Sequence, residues 1–377
     1  MSDVPRTIML VHNHYQQPGG EDQVFASEAA LLEAKGHRVI RYEDDNSRVG
    51  HWGIGSALGA LWNSRSAGKI GELVRKHKPD VVHFHNTFPL ISPAAYYAVQ
   101  SEGVPVVQTL HNFRLVCPGA TLYRDGAVCE ECIQQRSLRP AMAHKCYRGS
   151  RPATVAVATM LELHRAARTW RKKVDLYIAL SELARRKFIA GGLPESRVVV
   201  KPNFVAPEPE AGKGSGGYAL FAGRLSAEKG IATMLEAWKD LADIPLVVAG
   251  GGPLARNDAR FIGRQTREKV LELMRDARVL IFPSECYEGA PLVIAEALAC
   301  GLPVVASDLG AAPRSGWTFR AGDAADLARA VRLAFSSHGD AMRAEARKEF
   351  EEKYTADRNY EMLMAIYERA RGRDRAA

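Results

Sequence analysis

Residues 278–307 read RVLIFPSECYEGAPLVIAEALACGLPVVAS. Short apolar runs, VLIF and PVV, stand near its two ends, and between them LVIAEALA is an apolar segment of helical character. A strand, a helix and a second strand in that order make a crossover unit whose two strands lie parallel. The same alternation continues in both directions. TIMLVHN, VVHFHN, PVVQTLHN, LYIALS and VVVKPN precede residue 204, and YALFAGR, PLVVAGG, ARFIG and GWTFRAG complete the later half, with helical segments between most of them. The expected fold class is α/β, with two Rossmann-like doubly wound parallel-sheet domains facing across a cleft. Residues 206–217, APEPEAGKGSGG, are dense in Pro, Gly and charge, have no apolar face and read as a linker. They part a first domain, 1–205, from a second, 218–352. The tail reads as terminal helices, with 353–377 expected to pack back on the first domain. Ligands in such folds sit outside the carboxyl ends of the strands, so the loops after the strands are where chemistry is sought.

Composition narrows the field. The chain has 377 residues, 46% hydrophobic and 25% charged, a balance that excludes disorder as the main state. No uninterrupted apolar run reaches spanning length, and MSDVPRTIMLVHNH lacks a signal-peptide core, so a cytosolic protein is expected. The net charge is +8 and is concentrated: residues 136–173 hold ten Lys or Arg against the single acid Glu162.

Arg224 ends the run YALFAGR, and Lys229 stands just ahead of the helical IATMLEAWKDL. Two cations beside a helix amino terminus can neutralise a diphosphate, Arg as a fork and Lys as a point charge. A solvated loop would account for the pair if it stood alone. It is accompanied by Glu288, in the loop before a helix, and Glu296, eight residues on and inside that helix. Eight helical residues rise about 12 Å, whereas a retaining glycosidase holds its two carboxyls about 5 Å apart. The two acids therefore suit opposite ends of one extended ligand, Glu296 accepting ribose hydroxyls and Glu288 those of a sugar. The turn Gly289, Ala290, Pro291, Leu292 leaves backbone N–H groups for phosphate.

With AGRLSAEKG upstream, EGAPLVIAE resembles the signature of glycosyltransferase family 4, and KPN at 201–203, AGGGP at 249–253 and residues 261–284 fall in matching order. That resemblance implies the GT-B fold and sugar transfer from a nucleotide donor with retention of configuration. It implies that Arg224 and Lys229 hold the donor diphosphate, with Gly223 and Gly251 beside them, Glu296 the ribose and Glu288 the transferred sugar. Gly19 and Gly20 in PGGEDQV would let backbone N–H groups approach the diphosphate, although a simple turn reads equally well from pattern alone. His111 stands where the family often keeps a histidine beside the reacting sugar. Ser181 and Asn203, at strand ends, could line the same cleft. His83 and His85 alternate along one strand and mimic a metal pair, but with no carboxylate of ligand spacing nearby, packing and hydrogen bonding are expected of them. The chain departs from the family's text at Asn112, Phe204, Ala206 and Arg314, which puts the acceptor side and the hinge in doubt.

Cys117, Cys129, Cys132 and Cys146 surround a C-x-x-C knuckle in the long irregular insert 113–150. A structural zinc is expected there ahead of reduced thiols or disulfides, with His144 a substitute ligand and Cys286 and Cys300 left to packing. The insert continues as ATVAVATMLELHRAARTWRKK, where Val155, Met160, Leu161, Leu163 and Trp170 accompany a basic second half. That suits an anionic membrane surface, or else a helix packed on its domain. The expected function is a retaining, metal-independent hexosyltransferase of cell-surface polysaccharide synthesis. It would use a UDP- or GDP-sugar, act on a glycan or polyprenyl-diphosphate-linked glycan, and bind no nucleic acid. Two rivals are kept: a GT-B nucleotide-sugar epimerase, and a zinc-knuckle nucleic-acid-binding protein, which would leave both carboxylates unused.

Overall fold

The computed structural model describes residues 5–16, 19–48, 54–310, 312–337 and 339–372. Residues 1–4, on which the leader reading partly leans, and 373–377 of the terminal segment lie outside the described residues. The chain divides into two compact units: 1–122 with 130–201 and 360–377, and 123–129 with 202–359.

In the first unit, strands β1 (Thr7–His14), β2 (Arg38–Asp45), β3 (Val81–Phe84) and β4 (Val106–Leu110) form part of one parallel sheet. The antiparallel hairpin β5 (Tyr123–Arg124) and β6 (Ala127–Val128), which belongs to the second unit, comes next in the chain, and then β7 (Leu176–Ala179) and β8 (Val198–Val200) complete the first unit's sheet in the order β2-β1-β3-β4-β7-β8. Ile8, Met9, Leu10 and Val11 are wholly buried, as a central parallel strand covered on both faces requires. The sequence reading missed β2. Its text, RVIRYEDD, alternates exposed with half-buried positions and so lacks the apolar run by which the others were found, including β8 at the opposite edge.

Tyr360, Leu363, Ile366 and Tyr367 recur at helical spacing along Ala356–Gly372 and sit in the first unit's core with Ile8, Leu10 and Phe25. The C-terminal helix thus belongs to that core from Tyr360 onward.

The second unit repeats the plan with β9 (Ala219–Ala222), β10 (Leu246–Ala249), β11 (Phe261–Gly263), β12 (Val279–Phe282), β13 (Val304–Ser307) and β14 (Trp317–Phe319). All are parallel, in the order β11-β10-β9-β12-β13-β14. The segment expected to be a linker is fastened to this unit. Arg343 donates to the carbonyls of Gly212, Arg275, Ala277 and Cys300, and Arg347 to those of Pro209 and Ala299. A Cβ on Gly212 would lie 2.1 Å from the Arg275 carbonyl oxygen. Gly212 therefore serves close approach, not flexibility.

Residues 151–173 of the basic stretch hold two helices, Arg151–Ala166 and Thr169–Lys172, broken at Arg168, whose φ is +57°. Met160, Leu161 and Trp170 are core residues, whereas Val155 and Leu163 face outward. Among the described residues no helix is long and apolar enough to cross a membrane.

Candidate functional site

Strand order reverses in the second unit between β9 and β12, so the crevice at their carboxyl ends is where this fold presents a ligand site. Gly223 and the exposed Arg224 follow β9, and the turn Ala227–Lys229 leads to the helix Ile231–Ala237. The Arg224 guanidinium has no side-chain partner among the described residues. Lys229 forms an ion pair with Glu288, and the Ser284 hydroxyl donates to the same carboxylate oxygen at 3.0 Å. Burial, the largest influence on Lys229, would lower its pKa, but the Glu288 carboxylate outweighs it and holds the ammonium above its ordinary range.

Packing explains several of the glycines. Gly230 has φ +68°, and a Cβ there would lie 1.8 Å from the Pro283 carbonyl oxygen. A Cβ on Gly250 would meet the Gly223 carbonyl oxygen at 1.8 Å, and one on Gly252 the Leu225 carbonyl oxygen at 2.4 Å. Gly251, between them, faces open space apart from Arg264 Cβ at 3.8 Å. Of that triplet it alone has room in front of it.

Glu296 is buried in the helix Leu292–Ala299 and accepts from Arg267 Nε at 2.7 Å. Arg267 Nη2 is buried without a partner. No side chain caps this helix at Pro291, and Asn203 Nδ2 donates to the Ala290 carbonyl at 2.7 Å, which fixes the turn Gly289–Leu292 ahead of it. The sequence reading missed Arg267 and also Glu285, to which Thr233 donates at 2.5 Å and Tyr123 at 3.4 Å. Burial and Glu285 push the Tyr123 phenol up to about 12. Nothing in the spacing of these residues shows that they meet; the fold brings them together from separate loops.

In the first unit the order reverses between β1 and β3. Asp22 Oδ1 lies 2.8 Å from His12 Nε2 and 2.9 Å from His14 Nδ1, and Glu43 lies 2.7 Å from the other nitrogen of His14. Gly19 N–H donates to Asp22 Oδ2 at 2.7 Å, so in this structure a carboxylate occupies the donor expected for phosphate, while Gly20 opens the helix Gly20–Ala34. Glu21, in the first turn, is pushed up to about 8 by burial and then by Asp22, with Asn112 3.4 Å away. Ser181 caps the helix Glu182–Ala190 by accepting from the Ala184 N–H at 3.2 Å.

His111 follows β4 and retains partial exposure. Its Nε2 is 3.0 Å from His85 Nδ1, and burial, then His85, hold its pKa well below the ordinary histidine value. His83 and His85 do hydrogen-bond inside the domain, but the expectation that no carboxylate stands near them is corrected. Glu28, from the helix after β1, reaches both, at 3.8 and 3.3 Å.

None of the six cysteines is in a disulfide. Cys117 and Cys146 flank Gly119, where a Cβ would stand 3.7 Å from Cys117 Sγ and 3.1 Å from the Cys146 carbonyl oxygen. Among the described residues, the groups of three or more ligand atoms within 4.8 Å are His12, His14, Asp22 and Glu28, His83, His85. Neither contains a cysteine.

Known proteins resemble the chain over most of its length. The family model described as Glycosyltransferase Family 4 matches residues 6–209, and one described as Glycosyl transferases group 1 matches residues 216–337. A phosphatidyl-myo-inositol mannosyltransferase of Mycobacterium leprae is 32% identical over 48% of this chain and 54% of its own length. An amylovoran biosynthesis glycosyltransferase of Erwinia amylovora, AmsK, is 26% identical over 52% of this chain and 56% of its own. The chain spans about half the length of the curated relatives it matches. The crystal structure of Anabaena HepE in complex with UDP and glucose is similar in fold at TM-score 0.65 and 16% identity, covering 96% of this chain and 100% of that one.

Proposed function

This chain belongs to glycosyltransferase family 4, and on that premise we propose that it is a retaining enzyme transferring a hexosyl group from a UDP- or GDP-sugar to a glycan or polyprenyl-diphosphate-linked glycan. Its fold is GT-B, built from two parallel-sheet α/β domains. The observation that carries the reading is that Arg224, without a side-chain partner among the described residues, stands five residues before the Lys229 of the Lys229–Glu288 ion pair, after the strand where strand order reverses. A diphosphate entering there gains two cations, and by competing for Lys229 it releases Glu288 to accept the hydroxyls of the sugar. Glu296, set by Arg267, is left for the ribose. As the glycosidic bond breaks, negative charge grows on the diphosphate, and fixed cations stabilise that state more than the ground state. The acceptor hydroxyl then attacks from the face the diphosphate leaves, giving its proton to a phosphate oxygen, so no protein nucleophile is needed. Arg224 and Lys229 supply the charge compensation that a metal supplies elsewhere.

Support for a nucleotide sugar comes from the Anabaena neighbour, whose structure holds UDP and glucose. Support for cell-surface polysaccharide synthesis comes from the Erwinia relative, named for amylovoran biosynthesis. Calorimetry with UDP-glucose and GDP-mannose is the direct test. One donor should bind the native chain, and Arg224→Ala or Lys229→Ala should lower turnover with that donor roughly a hundredfold without unfolding the chain. Near-normal turnover in both variants would defeat the proposal.

We also propose a structural zinc on the four thiols of the insert, which would have to draw together around it, since among the described residues no three of their sulfurs lie within 4.8 Å of one another. Four thiolates would close the coordination shell, and such an ion would act on stability alone. Elemental analysis of protein purified without chelator should find zinc in a one-to-one ratio, lost in Cys129→Ser; a metal-free native chain would remove the ion from this account.

A further inference from the structure

Beneath the sheet of the first unit lies a run of polar side chains that the proposed reaction does not use. Lys201 Nζ is 2.5 Å from Glu28 Oε1, and both side chains are essentially inaccessible to water. Glu28 Oε2 faces His85 Nε2 at 3.3 Å, outside hydrogen-bond geometry, and both atoms are buried with no hydrogen-bond partner. His85 Nδ1 meets His111 Nε2 at 3.0 Å. His83 stands alongside with both nitrogens occupied, Nδ1 by the Tyr367 hydroxyl at 2.9 Å and Nε2 by the Thr109 hydroxyl at 2.8 Å. The run therefore extends from a buried ion pair to His111, the one member that is partly accessible.

Counting protons along this run leaves one arrangement. Burial alone would raise the Glu28 carboxyl, but Lys201 and the two histidines outweigh it and keep it ionised. If His85 Nε2 were bare, its lone pair would face a carboxylate oxygen with no water between them, so Nε2 carries a proton. If Nδ1 carried one too, the imidazolium and Lys201 would share a single carboxylate, leaving an uncompensated buried charge, which is strongly disfavoured. Nδ1 is therefore an acceptor, and the group facing it, His111 Nε2, must donate.

We propose that Glu28, paired with Lys201, is a positioning residue: through His85 it fixes His111 in the tautomer with its proton on Nε2, leaving Nδ1 to accept a hydrogen bond from the transferred sugar. The tautomer follows from this network alone, and only the sugar contact rests on the donor reading given above. By ligand count Glu28, His83 and His85 could also hold a metal, but the Lys201 ammonium already supplies the counter-cation at Glu28.

Nitrogen-15 labelling of the histidines in the full chain tests this by two-bond proton–nitrogen correlation, with peaks assigned through His85→Asn and His111→Asn. At neutral pH, His85 and His111 should each show a protonated Nε2 and a bare Nδ1. A proton on His111 Nδ1, or a doubly protonated His85, overturns the proposal and needs no variant to be seen. In Glu28→Gln, Lys201 keeps the amide oxygen and the amide NH2 turns to His85, so both histidines should switch their proton to Nδ1; a folded variant with unchanged tautomers would show that Glu28 does not set them. The donor arm adds UDP, UDP-glucose, GDP and GDP-mannose separately. A shift of His111 Nδ1 with a sugar nucleotide but not with its free diphosphate supports the contact. Binding of a sugar nucleotide without that shift overturns the contact. Failure of all four to bind overturns the donor reading and leaves the tautomer result standing.

Discussion

Glu288 has two competing partners in the proposed cycle: Lys229 in the structure described, and a sugar once a diphosphate has drawn the lysine away. Glu21 carries a different kind of information, because its pKa of about 8 stands far above the ordinary carboxylate value of 4.5. A group whose folded-state pKa is raised binds its proton more tightly in the native chain. Its contribution is thus complete below about pH 4.5 and is lost as pH rises towards about 8. Denaturation of the native chain should accordingly show stability declining across that window, and Glu21→Gln should flatten the decline; an identical slope in the variant would mean that Glu21 ionises freely. In the second unit type and spacing singled out Lys229 and Glu288, which the fold brings into an ion pair, but not Arg267, which meets Glu296; the donor roles of these residues stay with the proposal above. Glu28 was not legible. It lies 55 and 57 positions before His83 and His85, and only the in-register pairing of β1 with β3 brings its helix over them.

At the scale of elements, apolar runs located the central strands and also the edge strands β8, β11 and β14, and failed at β2, whose RVIRYEDD carries no such run, and at the short hairpin β5–β6. The segment 206–217 shows a second limit of reading composition: Gly and Pro mark close packing as readily as freedom. What turns it from a tether into a fixed strap is Arg343, a buried guanidinium on a helix more than a hundred residues away that satisfies four backbone carbonyls. Arg343→Ala would take this donor from the Gly212 and Ala277 carbonyls, while those of Arg275 and Cys300 keep the Gly214 and Gly212 N–H groups, and urea unfolding should register a loss of roughly 2 kcal/mol. Arg343→Lys should restore little, because an ammonium cannot reproduce the planar fork. Full rescue by lysine would assign the effect to charge and not to carbonyl bonding.

For the whole molecule the decisive quantity is where the charge sits, since residues 136–173 carry more than the entire excess of +8. The sequence suggested one basic amphipathic helix, but Met160, Leu161 and Trp170 are spent on the core. The outward apolar surface is supplied jointly with a second element that no pattern in the sequence links to it. Trp62, 48% exposed and just past the helix Ile54–Leu61, stacks at 6.2 Å on His164 of the helix Arg151–Ala166, which also bears the exposed Leu163. Tyr97 joins Trp62 at 5.2 Å and lies under the Lys173 ammonium at 5.0 Å, which carries the patch toward the exposed Arg168, Arg171 and Lys172. Tryptophan, leucine and a band of cations together match the boundary of an anionic bilayer, where each basic residue contributes about 1 kcal/mol. Vesicles of phosphatidylglycerol should therefore co-sediment the native chain in a salt-sensitive way, and neutral vesicles should do so weakly. Reversing Arg168, Arg171 and Lys172 to Glu should weaken binding roughly a hundredfold or more, whereas Trp62→Ser with Leu163→Ser should weaken it without changing the salt dependence. Equal sedimentation of the native and charge-reversed chains would detach the basic segment from the membrane and leave its cations as a solvated face.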